Sequence, residues 1–248
     1  MQWNDLIEKM MMDNNGTASL SYLYENANKY KKLPDGDWQK TLRGVLYRDE
    51  KKGRFKKIGL GVFAISNYNS ENSAYDAAIK NKSSESYLKS NRDLHSSVEG
   101  MLIELGNFFD FKTYTCDINK SFDNKKLKDL IDYSPMPEFT YKEITDIISK
   151  SDVIWFSKNK FAFPKYIFEV EASTDFTNSM HKMYQLIDFD SRFYLIAPHS
   201  RKQTFLNRIG REPFNSIKGK FTFHSFEEVA ELYFKSIEQN ELKTKFIE

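Results

Sequence analysis

Acidic residues lie at the ends of two short apolar runs, Val153–Phe156 and Tyr166–Val170. Asp152 precedes the first run, and Glu169 and Glu171 lie at the end of the second. Both runs are rich in β-branched and aromatic residues, which predicts a hairpin of two buried strands. Strand side chains alternate between faces, so Glu169 and Glu171 point the same way. Three carboxylates that converge repel one another without a cation, so the pattern predicts a divalent-metal site. The alternative is a solvated strand end.

Length and composition limit the class of protein. A chain of 248 residues with 40% hydrophobic and 15% aromatic content can form one large domain or two modest ones. The net charge is +2, but the first 65 residues carry 12 Lys and Arg against 8 Asp and Glu. The single Cys116 excludes a disulfide framework. No long apolar run and no signal peptide are present, so we expect a soluble cytoplasmic protein that does not enter a membrane.

Residues 1–65 predict a winged-helix domain. Apolar residues recur at helical spacing in three segments, and Gly53–Phe63 then predicts a β-hairpin. Basic residues concentrate on the third helix and the hairpin, where double-stranded DNA would be gripped. These candidate DNA-binding residues are Lys40, Arg43, Arg48, Lys51, Lys52, Arg54, Lys56 and Lys57. The alternative is a solvated basic surface on a winged helix that contacts other proteins.

Residues 66–90 are rich in Asn, Ser, Lys and Glu and predict a linker with one exposed helix near Ala74–Lys80. Residues 91–248 then alternate between helical and strand patterns, which predicts an α/β sandwich with a central mixed sheet. The predicted helices are Asn91–Phe109, Lys125–Tyr133, Tyr141–Lys150, Asp175–Asp188, Arg201–Ile209 and Ser225–Ile237. Beyond the hairpin, the predicted strands are Phe111–Ile118 and Phe193–Ala197.

The order of these acids resembles the PD-(D/E)xK nuclease superfamily, the fold of many restriction endonucleases. A helical Glu99, then Asp152 at a strand start, then Glu169 one strand later match that family's pattern. The resemblance implies that Gln185, on the helix after the hairpin, is a further polar active-site residue. The blocks FEVEAST, FYLIAP and GREPF, together with the winged helix, also resemble bacterial restriction-associated proteins with a HARE-type winged helix.

One position departs from the family pattern, because Glu171 stands where the family carries Lys. An acid there can serve as a base or as a ligand of a second metal ion, and Lys182 on the next helix can supply the missing positive charge. The resemblance implies a Mg²⁺ cofactor, replaceable by Mn²⁺, held by Asp152 and Glu169. Glu99 is then a water-mediated or second-site ligand.

The four histidines show no paired spacing typical of a zinc site. His95 precedes Glu99 by four residues and is interpreted as a structural or DNA-proximal residue. The resemblance implies a Mg²⁺-dependent double-stranded DNA endonuclease of restriction, type II-like character. Because cutting both strands requires two active sites, a homodimer is expected. The alternative is a catalytically inactive DNA-binding regulator, or a subunit of a defence complex, with a degenerate nuclease fold.

Overall fold

The computed structural model describes residues 1–159, 161–173 and 176–247. Its N-terminal unit contains the three predicted helices and the predicted hairpin. A short additional strand pairs with the hairpin in an antiparallel sheet of order β1-β3-β2. The elements are α1 (Trp3–Asp13), β1 (Thr17–Ser19), α2 (Leu20–Tyr30), α3 (Trp38–Lys51), β2 (Phe55–Gly59) and β3 (Val62–Ile65).

Side-chain caps at the helix starts and an apolar stripe on each helix explain why the N-terminal unit folds in this way. The Ser19 side chain accepts a hydrogen bond from Tyr22 N at the start of α2, and Asp37 accepts one from Lys40 N at the start of α3. Such caps satisfy backbone N–H groups that have no partner within the helix. The three helices bury their apolar faces together with the hairpin. The core includes Leu6, Ile7, Met10, Leu23, Leu42, Leu46, Phe55 and Phe63.

The remainder of the chain forms a mixed α/β structure. Its elements are α4 (Ala74–Ile79), α5 (Ser84–Ser90), α6 (Leu94–Phe108), β4 (Lys112–Tyr114), β5 (Ser121–Phe122), β6 (Lys125–Lys126), α7 (Lys142–Ile148), β7 (Val153–Phe156), β8 (Pro164–Val170), α8 (Thr177–Tyr184), β9 (Arg192–Ala197), α9 (Lys202–Ile209), β10 (Phe221–Ser225) and α10 (Phe226–Ile247). No helix in the described part of the chain combines the length and the apolar character that a membrane span requires.

A five-stranded sheet of order β10-β9-β8-β7-β4 lies at the centre. The pairs β4–β7 and β7–β8 are antiparallel, whereas β8–β9 and β9–β10 are parallel, so the predicted mixed sheet is confirmed. Helices α6 and α10 cover one face over Val153, Trp155 and Phe168. Helices α7, α8 and α9 cover the other face over Ile154 and Ile167. Alternation along β7 and β8 assigns successive residues to the two layers.

The segment predicted as a linker contains two short helices. The prediction of an exposed helix there is wrong, because Ala74, Tyr75, Ala77 and Ala78 of α4 are buried. Both α4 and α5 pack against α10. Alanine and tyrosine at these positions form a small apolar face. The polar composition of the segment as a whole makes this face difficult to recognise in the sequence.

Three other predicted elements differ from the structure. The segment Lys125–Tyr133 is not a helix; it contains β6 and a 3₁₀ turn at Leu127–Asp129. The Asp123-Asn124 pair has positive φ angles of 48° and 65°, which suit a tight hairpin turn between β5 and β6. The predicted strand Phe111–Ile118 is limited to β4, and β10 was not predicted. The first residue of the predicted helix Asp175–Asp188, Asp175, lies outside the described residues, and α8 ends at Tyr184.

The tip of the N-terminal hairpin is buried in the core of the larger unit. Ile58 and Leu60 are 1% and 2% exposed and belong to the same cluster as α6 and α10. Glu104 of α6 accepts a hydrogen bond from Leu60 N at 2.7 Å, and Lys125 donates to Ile58 O at 3.1 Å. Glu104 and Lys125 form a buried ion pair at 2.7 Å. The hairpin is therefore fixed to the helix that carries Glu99.

Candidate active site

Three elements bring acidic side chains to one end of the central sheet. Asp152 lies directly before β7, and Glu99 lies on α6, which covers that face of the sheet. Because β4 runs antiparallel to β7 with Tyr114 opposite Ile154, Asp117 leaves β4 at the end where β7 begins. Cys116 N also donates to Ser151 O, which keeps the two segments together.

His95, Glu99, Asp117 and Asp152 form the four-residue cluster. Each contributes one potential ligand atom, and these atoms all lie within 4.8 Å of one another. His95 Nε2 lies 3.0 Å from Glu99 Oε1 and 3.6 Å from Asp152 Oδ2. Two atoms that bind one Mg²⁺ from opposite sides are separated by about 4.2 Å. Small side-chain rotations would therefore bring all four atoms to one ion.

Glu99 is the least satisfied member of the four-residue cluster. Its side chain is 0% exposed, and neither carboxylate oxygen accepts a hydrogen bond of normal geometry from the described residues. Burial raises the pKa of Glu99 to about 8, with His95 opposing the rise and Asp117 adding to it. Contacts with Asp152 and Glu99 raise the pKa of His95 to about 10. An ionised buried carboxylate requires a nearby positive charge, which a protonated His95, Lys120 or a bound cation could supply here.

The other two acids have defined partners. Asp152 Oδ2 accepts a hydrogen bond from Val170 N at 2.6 Å, which fixes its position between β7 and β8. Asp117 pairs with Lys120, whose Nζ also lies 3.6 Å from Glu99 Oε1. Burial acts to raise the pKa of Asp117, but the contacts with Glu99 and Lys120 outweigh burial and lower it. The four-residue cluster therefore contains at least one carboxyl group that ionises readily.

Glu169 lies beside this cluster and not within it. Both of its oxygens accept hydrogen bonds from Lys182 Nζ at 2.8 Å, and Lys182 also donates to Lys150 O at 2.7 Å. Glu169 is 3% exposed. Burial raises its pKa to about 7, the charge of Asp152 adds to this rise, and Lys182 opposes it. The family resemblance implies that Glu169 and Asp152 are metal ligands, and in the structure the Glu169 oxygens contact a lysine.

Glu171 and Gln185 are not members of the four-residue cluster. Glu171 Oε1 accepts a hydrogen bond from Ser179 Oγ, and the backbone oxygen of Glu171 accepts one from Arg201 at 2.8 Å. Burial raises the pKa of Glu171. Gln185 is exposed at the end of α8, and its side chain donates to His181 O at 3.4 Å. The structure thus brings together Glu99 and Asp152, places Glu169 and Glu171 nearby, and leaves Gln185 at the surface.

The predicted DNA-binding residues divide into two groups. Arg54 pairs with Asp5 and Glu8 of α1, and Lys57 pairs with Glu241 of α10 at 3.0 Å. Lys56 donates to the backbone oxygen of Tyr68, so these three basic residues have partners within the protein, although the Arg54 side chain remains 34% exposed. The exposed group lies on and just after α3. It consists of Lys40, Arg43, Arg48, Lys51 and Lys52, of which Arg48 also contacts Asp49 at 3.3 Å.

A separate cleft of about 730 Å³ lies on the opposite face of the sheet from Glu169. Its lining is mainly aromatic and includes Trp155, Phe168 and Tyr194. None of the four cluster residues lines it. The cleft lies between the sheet and α10 and is separate from the acidic cluster.

Comparison with known protein families identifies the larger unit. Residues 76–248 match the family described as the type II restriction enzyme NmeDI C-terminal domain. This match covers well over half of the 248 residues. The chain belongs to this family. No curated protein and no solved structure matches the chain. The match makes this a restriction-enzyme-like protein, and the family range contains every acid of the site.

Sequence reasoning missed two members of the four-residue cluster. Asp117 lies three residues after β4. Its proximity to Asp152 can be recognised only once β4 is known to pair antiparallel with β7. His95 was noted for its spacing from Glu99 and interpreted as a structural or DNA-proximal residue. The signal available for His95 was its position one helical turn before a buried acid. Membership of the restriction-enzyme family does not by itself assign either residue.

Proposed function

We propose that this chain is a Mg²⁺-dependent endonuclease for double-stranded DNA, of type II restriction character, with a catalytic domain of the PD-(D/E)xK superfamily. The observation that carries the proposal is the buried Glu99 carboxylate. It lies among two further acids, and within the described part of the chain neither of its oxygens accepts a hydrogen bond of normal geometry. The restriction-enzyme family supports the same reaction class.

The donor set fits a divalent cation. Carboxylate oxygens are the ligands that Mg²⁺ and Mn²⁺ prefer, and an ion would neutralise the charges that crowd at this end of the sheet. Asp152, Glu99 and Asp117 would hold it. When bound, such an ion supplies Lewis acidity and lowers the pKa of a coordinated water. Glu169, predicted as a ligand from the sequence, can join only if Lys182 releases one of its oxygens.

The chain's own residues position the scissile phosphate and the water. Lys182 Nζ, fixed by Glu169 and by Lys150 O, supplies the positive charge that Glu171 cannot provide. It would contact a non-bridging phosphate oxygen and stabilise the charge that develops there. Glu169, with a pKa of about 7, is suited to accept a proton from the attacking water at a carboxylate oxygen. Glu171, held by Ser179, would orient that water.

We further propose that residues 1–65 form a winged-helix DNA-binding domain and that residues 91–248 form the nuclease domain, joined by 66–90. The order of helices and strands in the N-terminal unit supports the first assignment. Because the hairpin tip is buried, the exposed basic residues of α3 would contact the phosphates. Lys40, Arg43 and Lys52 are the strongest candidates. A homodimer on DNA would supply the second active site.

Cleavage of plasmid DNA tests the proposed function. We expect discrete fragments with Mg²⁺ or Mn²⁺ and none with EDTA. Asp152→Asn should abolish cleavage and retain DNA binding. Asp146→Asn is the matched control, because Asp146 is an exposed acid on α7 that pairs with Lys142, and it should cut like the wild type.

Two outcomes would contradict this function. If the wild type cuts neither methylated nor unmethylated DNA with either ion, the chain is a DNA-binding regulator or a defence-complex subunit without nuclease activity. Cutting that persists in EDTA would exclude a metal-dependent mechanism.

A further inference from the structure

An imidazole nitrogen lies inside the acidic cluster. His95 Nε2 is buried and has no hydrogen-bond partner among the described residues, although about a third of the side chain is exposed. It lies 3.0 Å from Glu99 Oε1 and 3.6 Å from Asp152 Oδ2. We propose that His95 Nε2 is a ligand of the same metal ion and that the site therefore selects Mn²⁺ over Mg²⁺. This inference rests on the proposed function and names the ion for which that site is built.

The position of His95 in α6 suits a ligand. The side chains of His95 and Glu99 are four residues apart, so they project from one face of the helix. The start of α6 is fixed by Asp93, which accepts a hydrogen bond from Ser96 N. Glu99 is fully buried one turn later. The imidazole is therefore presented to the acids by a capped helix and not by a loop.

The mixed donor set determines the ion. Mg²⁺ binds almost only oxygen ligands and retains several of its waters. Mn²⁺ accepts carboxylate oxygens and also binds nitrogen more readily. One imidazole with three carboxylates thus favours Mn²⁺, whereas three carboxylates alone would bind both ions. The nitrogen ligand is therefore what would make the site selective for Mn²⁺.

A second His–Glu pair in the chain serves as a comparison. His224 Nδ1 lies 3.4 Å from Glu228 Oε2, and these residues are also four apart. Their side chains are 45% and 57% exposed. This pair is not part of any group of potential metal ligands among the described residues. Spacing alone therefore does not create the site; burial and the two further acids do.

A different role for His95 would preserve the same contacts. A protonated imidazole can itself act as the cation that neutralises Glu99 and Asp152. Substitution of His95 would then disturb the cluster without any loss of a metal ligand. The two roles differ in one observable, a bond between the ion and a nitrogen atom.

Pulsed electron paramagnetic resonance of Mn²⁺ bound to the full chain measures that bond. We expect modulation from a directly bound ¹⁴N nucleus in the wild type and its loss in His95→Gln. His224→Gln should retain the modulation. In calorimetric titrations, His95→Gln should weaken Mn²⁺ binding by about tenfold or more and change Mg²⁺ binding by less than about threefold.

A second variant keeps the inference testable if His95→Gln fails to fold. In that variant the other three histidines, His181, His199 and His224, are replaced by glutamine. Retained ¹⁴N modulation assigns the nitrogen to His95, and its loss overturns the inference. Mn²⁺ that binds the wild type without ¹⁴N modulation also overturns it, while the proposed nuclease function stands. If the wild type binds neither ion, with or without DNA, both the inference and the proposed function fail.

Discussion

Glutamine in place of Glu99 should make the metal-free protein more stable at neutral pH than the wild-type chain. Folding raises the pKa of Glu99 from an ordinary value of 4.5 to about 8, chiefly through burial. The folded state therefore holds this proton more tightly than the unfolded state does. Stability is lost progressively as the pH rises from about 4.5 to about 8. Glutamine has the same shape, carries no charge and removes this loss.

The pKa difference sets the size of the effect. At pH 7 the unfolded carboxyl is ionised and the folded one is mostly protonated, which corresponds to about 3 kcal/mol. The raised pKa of His95 depends partly on Glu99, so the substitution also removes a favourable contact. We therefore expect a gain of about 1–3 kcal/mol at pH 7 and almost none at pH 4.5.

Urea denaturation in EDTA at these two pH values measures the gain. Glu104→Gln is the matched control, because Glu104 lies on the same helix and is equally buried. Its carboxylate is already paired with Lys125 at 2.7 Å and accepts hydrogen bonds from Tyr233 and Leu60. Removing it leaves a buried ammonium group unpaired and should cost about 3–5 kcal/mol. The two glutamine substitutions should thus act in opposite directions.

Metal ions should oppose the advantage of Glu99→Gln. Mn²⁺ or Mg²⁺ at 100 times its Kd should stabilise the wild type by about 2.7 kcal/mol. The Glu99→Gln variant should gain much less, because it has lost a ligand. A metal-free Glu99→Gln protein that is less stable than the wild type at pH 7 would refute the predicted effect of burial. An equal response of both proteins to the ions would refute the role of Glu99 as a ligand.

Four further substitutions probe other parts of the structure. Lys182→Met should slow plasmid cleavage by about 100-fold in single-turnover assays and leave DNA affinity nearly unchanged; equal losses in both would make Lys182 a DNA-binding residue only. Arg43→Glu and Lys52→Glu should each reduce the salt dependence of DNA binding by about one counterion in anisotropy titrations; an unchanged slope would move DNA contact to the larger unit. Gly59→Ala should cost about 1–3 kcal/mol by calorimetry, since a Cβ there would lie 2.5 Å from Glu104 Oε2; a wild-type melting curve would show that the contact relaxes freely.

The local sequence pattern was sufficient to predict the helices and strands that have a clear apolar periodicity. The helices α1, α2, α3 and α6 have apolar stripes, and the central hairpin has β-branched and aromatic runs, so their type was predicted correctly. The failures have physical causes. Lys125 begins a segment predicted as a helix, but the structure places it in a short strand and buries it against Glu104. A buried lysine is rare, and its partner is 21 residues away, beyond the range of local pattern.

Order along the chain is enough to single out three acids near the candidate site. Glu99, Asp152 and Glu169 follow the order of a nuclease, and the structure places them at one end of the sheet. Asp117 depends instead on strand pairing, and the contact between Glu169 and Lys182 depends on how α8 packs. The pairing of Arg54 depends on two acids of α1. These side-chain partners are determined by tertiary structure and cannot be predicted from local sequence.

The buried hairpin tip also affects how such proteins can be recombined. Exchanging residues 1–65 for those of a relative would replace Ile58 and Leu60 in this core by foreign side chains and leave the Glu104–Lys125 pair facing an unfamiliar backbone. A functional chimera would have to carry the complementary part of α6 and the β5–β6 hairpin along with the N-terminal unit. The segment that must be exchanged is then larger than the proposed DNA-binding segment. Substitutions on the exposed surface of α3 are a simpler way to change the target preference than replacement of that whole segment.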